Sequence, residues 1–105
     1  MSVTEYFSVI ELQEKIFSTE NLVIVDFYAA WCPPCNQMSP IFEKIAKERP
    51  EMTFLKIDAD KNKQACSKFD IDGYPTFKIF KDGDEVDYVV GANEKSLVSK
   101  IDKVK

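Results

Sequence analysis

The chain has 105 residues, 14 basic against 18 acidic, a formal net charge of -4 and no histidine. The missing imidazole excludes Ser-His-Asp and Cys-His catalysis and the zinc sites that mix cysteine with histidine, so any catalysis must run on cysteine, carboxylate, lysine or tyrosine. A hydrophobic share of 45% with 12% aromatic residues is ordinary for a globular protein of this length, and residues 1–105 read as a single domain.

The interspersed charges form no basic stripe, so no nucleic-acid partner is expected. No apolar run, Leu22 to Val25 included, approaches the ~20 residues that span a bilayer. The N-terminus, Met1 to Glu5, lacks the basic and apolar regions of a signal peptide, so the expectation is a soluble, cytoplasmic chain with no membrane partner. Its three cysteines, Cys32, Cys35 and Cys66, are too few and too odd in number for a framework of structural disulfides. In a reducing compartment a close pair points to redox chemistry or to metal binding.

In chain order, Ser8-Val9-Ile10-Glu11 has the spacing of a capping box, and Val9, Leu12, Ile16 and Phe17 recur at helical intervals, predicting a helix near residues 9 to 18. Leu22 to Tyr28 is β-branched and aromatic without alternation, which marks a central strand covered on both faces. Met38, Ile41, Phe42, Ile45 and Ala46 give a second helix its apolar stripe, with Pro40 expected to kink it and Arg49-Pro50 to end it. A strand over Met52 to Ile57 follows, then a short helix capped by Asn62 and carrying Ala65, Cys66 and Phe69. Thr76 to Phe80 and Glu85 to Val90 flank Lys81-Asp82-Gly83-Asp84, whose Asp-Gly pair signals an antiparallel hairpin. A last helix starts at Asn93 and buries Leu97, Val98, Ile101 and Val104. The order implies an α/β fold, a mixed sheet with helices on both faces.

The stretch Trp31-Cys32-Pro33-Pro34-Cys35 lies where the central strand hands over to the second helix. Two cysteines separated by two residues can close a disulfide across the first turn of a helix, and the helix N-terminus stabilises a thiolate on the earlier one. A structural disulfide or half of a zinc site are the competing readings, but zinc needs four ligands and only Cys66 remains to supply another sulfur, so no metal is expected. Asp26 interrupts an apolar strand, where burial would raise its pKa; the alternative is a strand-end aspartate open to water. Cys66 falls on the apolar stripe of the short helix and reads as a buried, inert thiol.

Val25-Asp26-Phe27-Tyr28-Ala29, Trp31-Cys32-Pro33-Pro34-Cys35, Pro40, Tyr74-Pro75-Thr76 and Val90-Gly91-Ala92 together resemble the thioredoxin family through nearly the whole chain. The resemblance implies a thioredoxin fold, a central mixed five-stranded sheet flanked by four helices. It also implies a protein-disulfide reductase with Cys32 as nucleophile, Cys35 as resolving thiol, and Asp26 assisting proton removal from Cys35 through water. Pro75 would be cis, and Trp31, Pro33, Pro34, Gly73, Tyr74, Pro75, Gly91 and Ala92 would form the substrate-docking surface. No cofactor would be bound; electrons would come from NADPH through thioredoxin reductase, and partners would include disulfide-bearing proteins such as peroxiredoxins. Family members usually carry glycine at the place of Pro33 and lysine at that of Asn36. Cys-Pro-Pro-Cys is associated instead with tryparedoxin-like and nucleoredoxin-like branches, which leaves a reductase with different partners as one alternative. A C-x-x-C metal module shared between two chains, a binding subunit without turnover, and an oxidase or isomerase running the exchange in reverse are the others.

Overall fold

Leu22–Tyr28, six of whose seven residues are buried, forms the middle strand of the sheet in a computed structural model that describes residues 2–105. The elements follow the order β1 (Val3–Tyr6), α1 (Val9–Ser18), β2 (Leu22–Tyr28), α2 (Pro33–Lys47), β3 (Thr53–Asp58), α3 (Lys63–Lys68), β4 (Thr76–Lys81), β5 (Asp84–Val90) and α4 (Glu94–Val104). The five strands lie in the order β1-β3-β2-β4-β5. β1 and β2 run parallel to β3, whereas β4 is antiparallel to both β2 and β5. This is the thioredoxin fold, a mixed five-stranded sheet with four helices.

Alternate side chains of the strands point to opposite faces. Ile24, Phe77 and Ile79 pack with Phe42 and Ile45 of α2 and with Leu97 and Ile101 of α4. Val25, Phe27, Leu55 and Ile57 pack with Leu12 and Ile16 of α1 and with Ala65 of α3. With helices on both faces, β2 has no watered side, which explains its unbroken apolar run. Ser8 caps α1 by accepting from the Glu11 amide at 3.3 Å, and α2 runs on through Pro40 to Lys47. Asp82 and Gly83 both take left-handed backbone angles, φ 51 and 88, the conformation a two-residue hairpin turn requires.

Several expectations are corrected. β1, to which the residue pattern assigns nothing, is a four-residue edge strand with only Val3 fully buried. Phe17 is not in the core but 77% exposed: it sits one residue past Ile16, about 100° round the helix from the buried stripe. Val98 and Val104 are half-buried, so Leu97 and Ile101 alone anchor α4 fully. Cys66 is likewise half-buried rather than enclosed, because α3 is only six residues long and buries just Ala65.

Candidate active site

β2 ends at Tyr28 and delivers the chain through Trp31 to Cys32, the N-cap of α2, with Pro33 and Pro34 in the first two helical positions. First-turn amides have no intrahelical acceptor, so prolines there cost the helix no hydrogen bond. The Cys35 amide still donates to Cys32 Sγ at 3.3 Å, the cap that directs this sulfur onto the helix N-terminus. Cys32 and Cys35 are joined by a disulfide, their Cα atoms 5.2 Å apart.

Although both cysteines are buried, they border different spaces. Cys32 lines a groove of about 500 Å³ with Trp31, Pro33, Pro34, Ile71, Asp72, Gly73 and Tyr74. Cys35 lines a separate pocket of about 230 Å³ with Asp26, Tyr28, Ala30, Asn36, Ser39 and Lys56.

Asp26 is 4% exposed. Its strand neighbours are Lys56 on β3 and Phe77 on β4. Among the described residues nothing donates to its Oδ1. Burial raises its pKa to about 7, the Lys56 ammonium opposing this in part. The strand-end alternative, an aspartate open to water, is therefore not what the fold builds. Lys56 Nζ lies 4.0 Å from Glu5 Oε1 and 5.8 Å from the centre of the Tyr28 ring. The Tyr28 hydroxyl donates to the Glu5 carboxylate. Burial, then that bond and the nearby carboxylates, hold the Tyr28 phenol well above its ordinary pKa, so it stays protonated.

On the groove side, Trp31 is 66% exposed and its Nε1 donates to Asp60 Oδ2 at 3.1 Å. Hydrogen bonds from Lys63 and then Trp31 hold the Asp60 carboxyl below the usual range. The Tyr74 ring meets Trp31 edge-on at 5.9 Å, and its hydroxyl shares a hydrogen bond with Cys66 Sγ at 3.4 Å. That bond, followed by burial, pushes the Tyr74 hydroxyl up to about 12. The Tyr74-Pro75 peptide is cis, and the Pro75 carbonyl accepts from the Gly91 amide at 2.8 Å. Gly91 has φ 97, a backbone that favours glycine. A Cβ on Gly73 would touch Val90 Cγ1 at 3.4 Å.

The fold thus gathers Trp31, Cys32, Pro33, Pro34, Gly73 and Tyr74 around one groove, with Pro75 and Gly91 bonded to each other beside it. Ala92, next to Gly91, lines not this groove but a depression at the start of α4 with Asn93, Glu94 and Val98. Sequence reasoning missed Asp60 and Asp72, which no local pattern distinguishes from surface acids. It also missed Lys56, whose signal was a lone cation inside an apolar strand. Among the described residues no group of three or more His, Cys, Asp or Glu side chains is placed to hold a metal ion. No helix among them is long and apolar enough to cross a membrane.

The thioredoxin family model matches residues 3–103. Thioredoxin 1 of Plasmodium falciparum is 41% identical over 90 residues, 86% of each chain. The X-ray structure of Fasciola hepatica thioredoxin superposes with a TM-score of 0.89 at 40% identity, covering 100% of both chains. A structure described as the basis of thiol resolution in yeast mitochondrial 1-Cys peroxiredoxin via glutathione/thioredoxin systems superposes at 0.90 with 29% identity, covering 97% of this chain and 95% of the other. With the fold and the Cys32–Cys35 pair in place, these matches define a class, the thiol-disulfide oxidoreductases that act on protein disulfides. The chain belongs to the thioredoxin family.

Proposed function

We propose that Cys32 is the attacking thiol, Cys35 the resolving thiol and Asp26 the group that takes the Cys35 proton. The observation that carries this is the division of space: Cys32 borders the open groove, and Cys35 shares its pocket with Asp26. The Cys32 thiolate attacks one sulfur of a substrate disulfide, forming a mixed disulfide and expelling the other sulfur as a thiolate. Cys35 then passes its proton toward Asp26 and attacks Cys32 Sγ, closing the Cys32–Cys35 disulfide and releasing the second substrate thiolate. The substrate gains two electrons and the dithiol loses two. An acid with a pKa near neutrality suits this transfer, because it can both accept and return a proton there.

Trp31, Pro33, Pro34, Gly73, Tyr74 and the Pro75 backbone receive the substrate, with Gly91 supporting the Pro75 carbonyl and Ala92 at the margin. The substrates are disulfide-bearing proteins, peroxiredoxins among them, in line with the reaction named for the yeast structure. Residues 1–105 act as one domain without a bound cofactor. Electrons come from NADPH through a thioredoxin reductase, and the setting is the cytoplasm, where thiols are kept reduced.

Reduction of insulin, coupled to NADPH oxidation through a thioredoxin reductase, tests the reading. Catalytic turnover is expected from the wild type and its loss from Cys32→Ser. Turnover persisting without both cysteines would sink it.

A further inference from the structure

Glu5, Lys56 and Asp26 form a row across three neighbouring strands. Glu5 of β1 and Asp26 of β2 each stand opposite Lys56 of β3 in the parallel registers, so all three leave the same face of the sheet. Tyr28, two residues beyond Asp26 and therefore on that face, donates its hydroxyl to Glu5. Lys56 Nζ is 4.0 Å from Glu5 and over the Tyr28 ring, although its own strand position is flanked by a second carboxylate at Asp26. One cation thus stands between two carboxyl groups, and it lies within 4.0 Å of the one on the edge strand.

We infer that Glu5 is a positioning residue for the dithiol site: it draws the Lys56 ammonium toward the sheet edge and so limits how much positive charge reaches Asp26. The inference rests on the proposed proton role of Asp26 only for its functional consequence; the electrostatic coupling stands on geometry. The titratable groups that share a pocket with Asp26 are Lys56 from β3, Tyr28 from β2 and Cys35 from α2; Glu5 of β1 touches two of them, Asp58 of β3 stands opposite Tyr28 on the same face, and the β4 neighbour of Asp26 is Phe77. Lys56 is the single cation among them, and it is the group that opposes the effect of burial on Asp26. The Glu5 charge acts on Asp26 by competing with it for Lys56. Removing the charge must make Asp26 easier to ionise.

The test is the carboxyl titration of Asp26 followed by NMR in the oxidised protein, where neither Cys32 nor Cys35 titrates. Glu5→Gln preserves size and an acceptor for the Tyr28 hydroxyl, and should lower the titration midpoint of Asp26 by about half a pH unit, the scale of one charge at this range in a partly solvated site. Lys56→Met should raise the midpoint, and in that background the effect of Glu5→Gln should shrink markedly. An unchanged or raised midpoint in Glu5→Gln overturns the inference, as does an undiminished fall in the Lys56→Met background. The rate of mixed-disulfide resolution in Glu5→Gln should keep its plateau but shift its pH profile to the acid side by the same interval. Asp26→Asn separates the two claims: if it resolves mixed disulfides at the wild-type rate, the proton role of Asp26 fails, while the carboxyl titration still decides whether Glu5 acts through Lys56.

Discussion

Cys32 and Cys35 carry the same thiol and differ in what surrounds them. Cys32 caps a helix of 15 residues, where unsatisfied amides and the helix dipole favour a negative sulfur, and it borders the groove lined by Trp31, Gly73 and Tyr74. Cys35 lies inside the first turn, on the side of Asp26. The roles should therefore separate under mutation. With Cys32 attacking and Cys35 resolving, as proposed, Cys35→Ser leaves nothing to resolve the product and should accumulate mixed disulfides through Cys32. Cys32→Ser should abolish trapping and turnover together. Non-reducing gels and mass spectrometry of the trapped peptides check both, and substrate recovered through Cys35 would reverse the assignment. Tyr74 shows how one side chain serves both packing and the groove: its ring meets exposed Trp31, and its hydroxyl reaches back to Cys66 on α3. Neither link is visible in the local sequence, because both join residues from different elements.

Among the elements, α2 starts with Pro33 and Pro34 at its first two positions, and Pro33 stands where the family resemblance implies glycine. Their rings leave the Cys35 amide as the one that reaches Cys32 Sγ in the first turn. Pro33→Gly restores an amide at the helix start and frees the loop of the reduced state. The loss of proline restriction alone is worth ~0.4–1 kcal/mol, or about 10–20 mV at ~30 mV per 1.4 kcal/mol. The glycine variant should be the more oxidising, with a lower Cys32 pKa, when equilibrated against a glutathione buffer and titrated by thiolate absorbance. A more negative potential would show that strain from consecutive prolines dominates. The elements themselves were legible where they carry their own signal: the apolar run of β2, the stripe of α2, the capping box of α1, and Asp82-Gly83 at the hairpin. β1 was not, since Thr4, Glu5 and Tyr6 become a strand only by pairing with Thr4's, Glu5's and Tyr6's partners Leu55, Lys56 and Ile57, some fifty residues away in the chain. Phe17 misled because hydrophobicity without the right angular position does not reach the core.

At the scale of the whole molecule, the site sets a cost against the fold. The C-x-x-C motif and Asp26 were readable from the sequence, but the row Glu5, Lys56, Asp26 exists only once β1 has docked on β3 and β3 on β2. Burying Asp26 in that row makes the stability of the entire chain depend on pH. An unfolded aspartate titrates near ~3.9, whereas the folded one is raised to about 7. Between those values the folded chain retains a proton that the unfolded chain has released, so stability falls as pH rises through this window and levels off above it. At ~1.4 kcal/mol per pH unit the total is on the order of 4 kcal/mol, a large share of a small domain's stability. Asp26→Ala lacks the cost. It should be more stable than the wild type at pH 8 by a few kcal/mol, and the advantage should shrink as pH falls toward ~3.9, well below which Asp26 is protonated in both states. Urea unfolding of the two oxidised proteins at pH 4.5 and pH 8 checks this. A difference that does not change between the two pH values would mean that Asp26 holds its proton no more tightly in the folded chain than in the unfolded one.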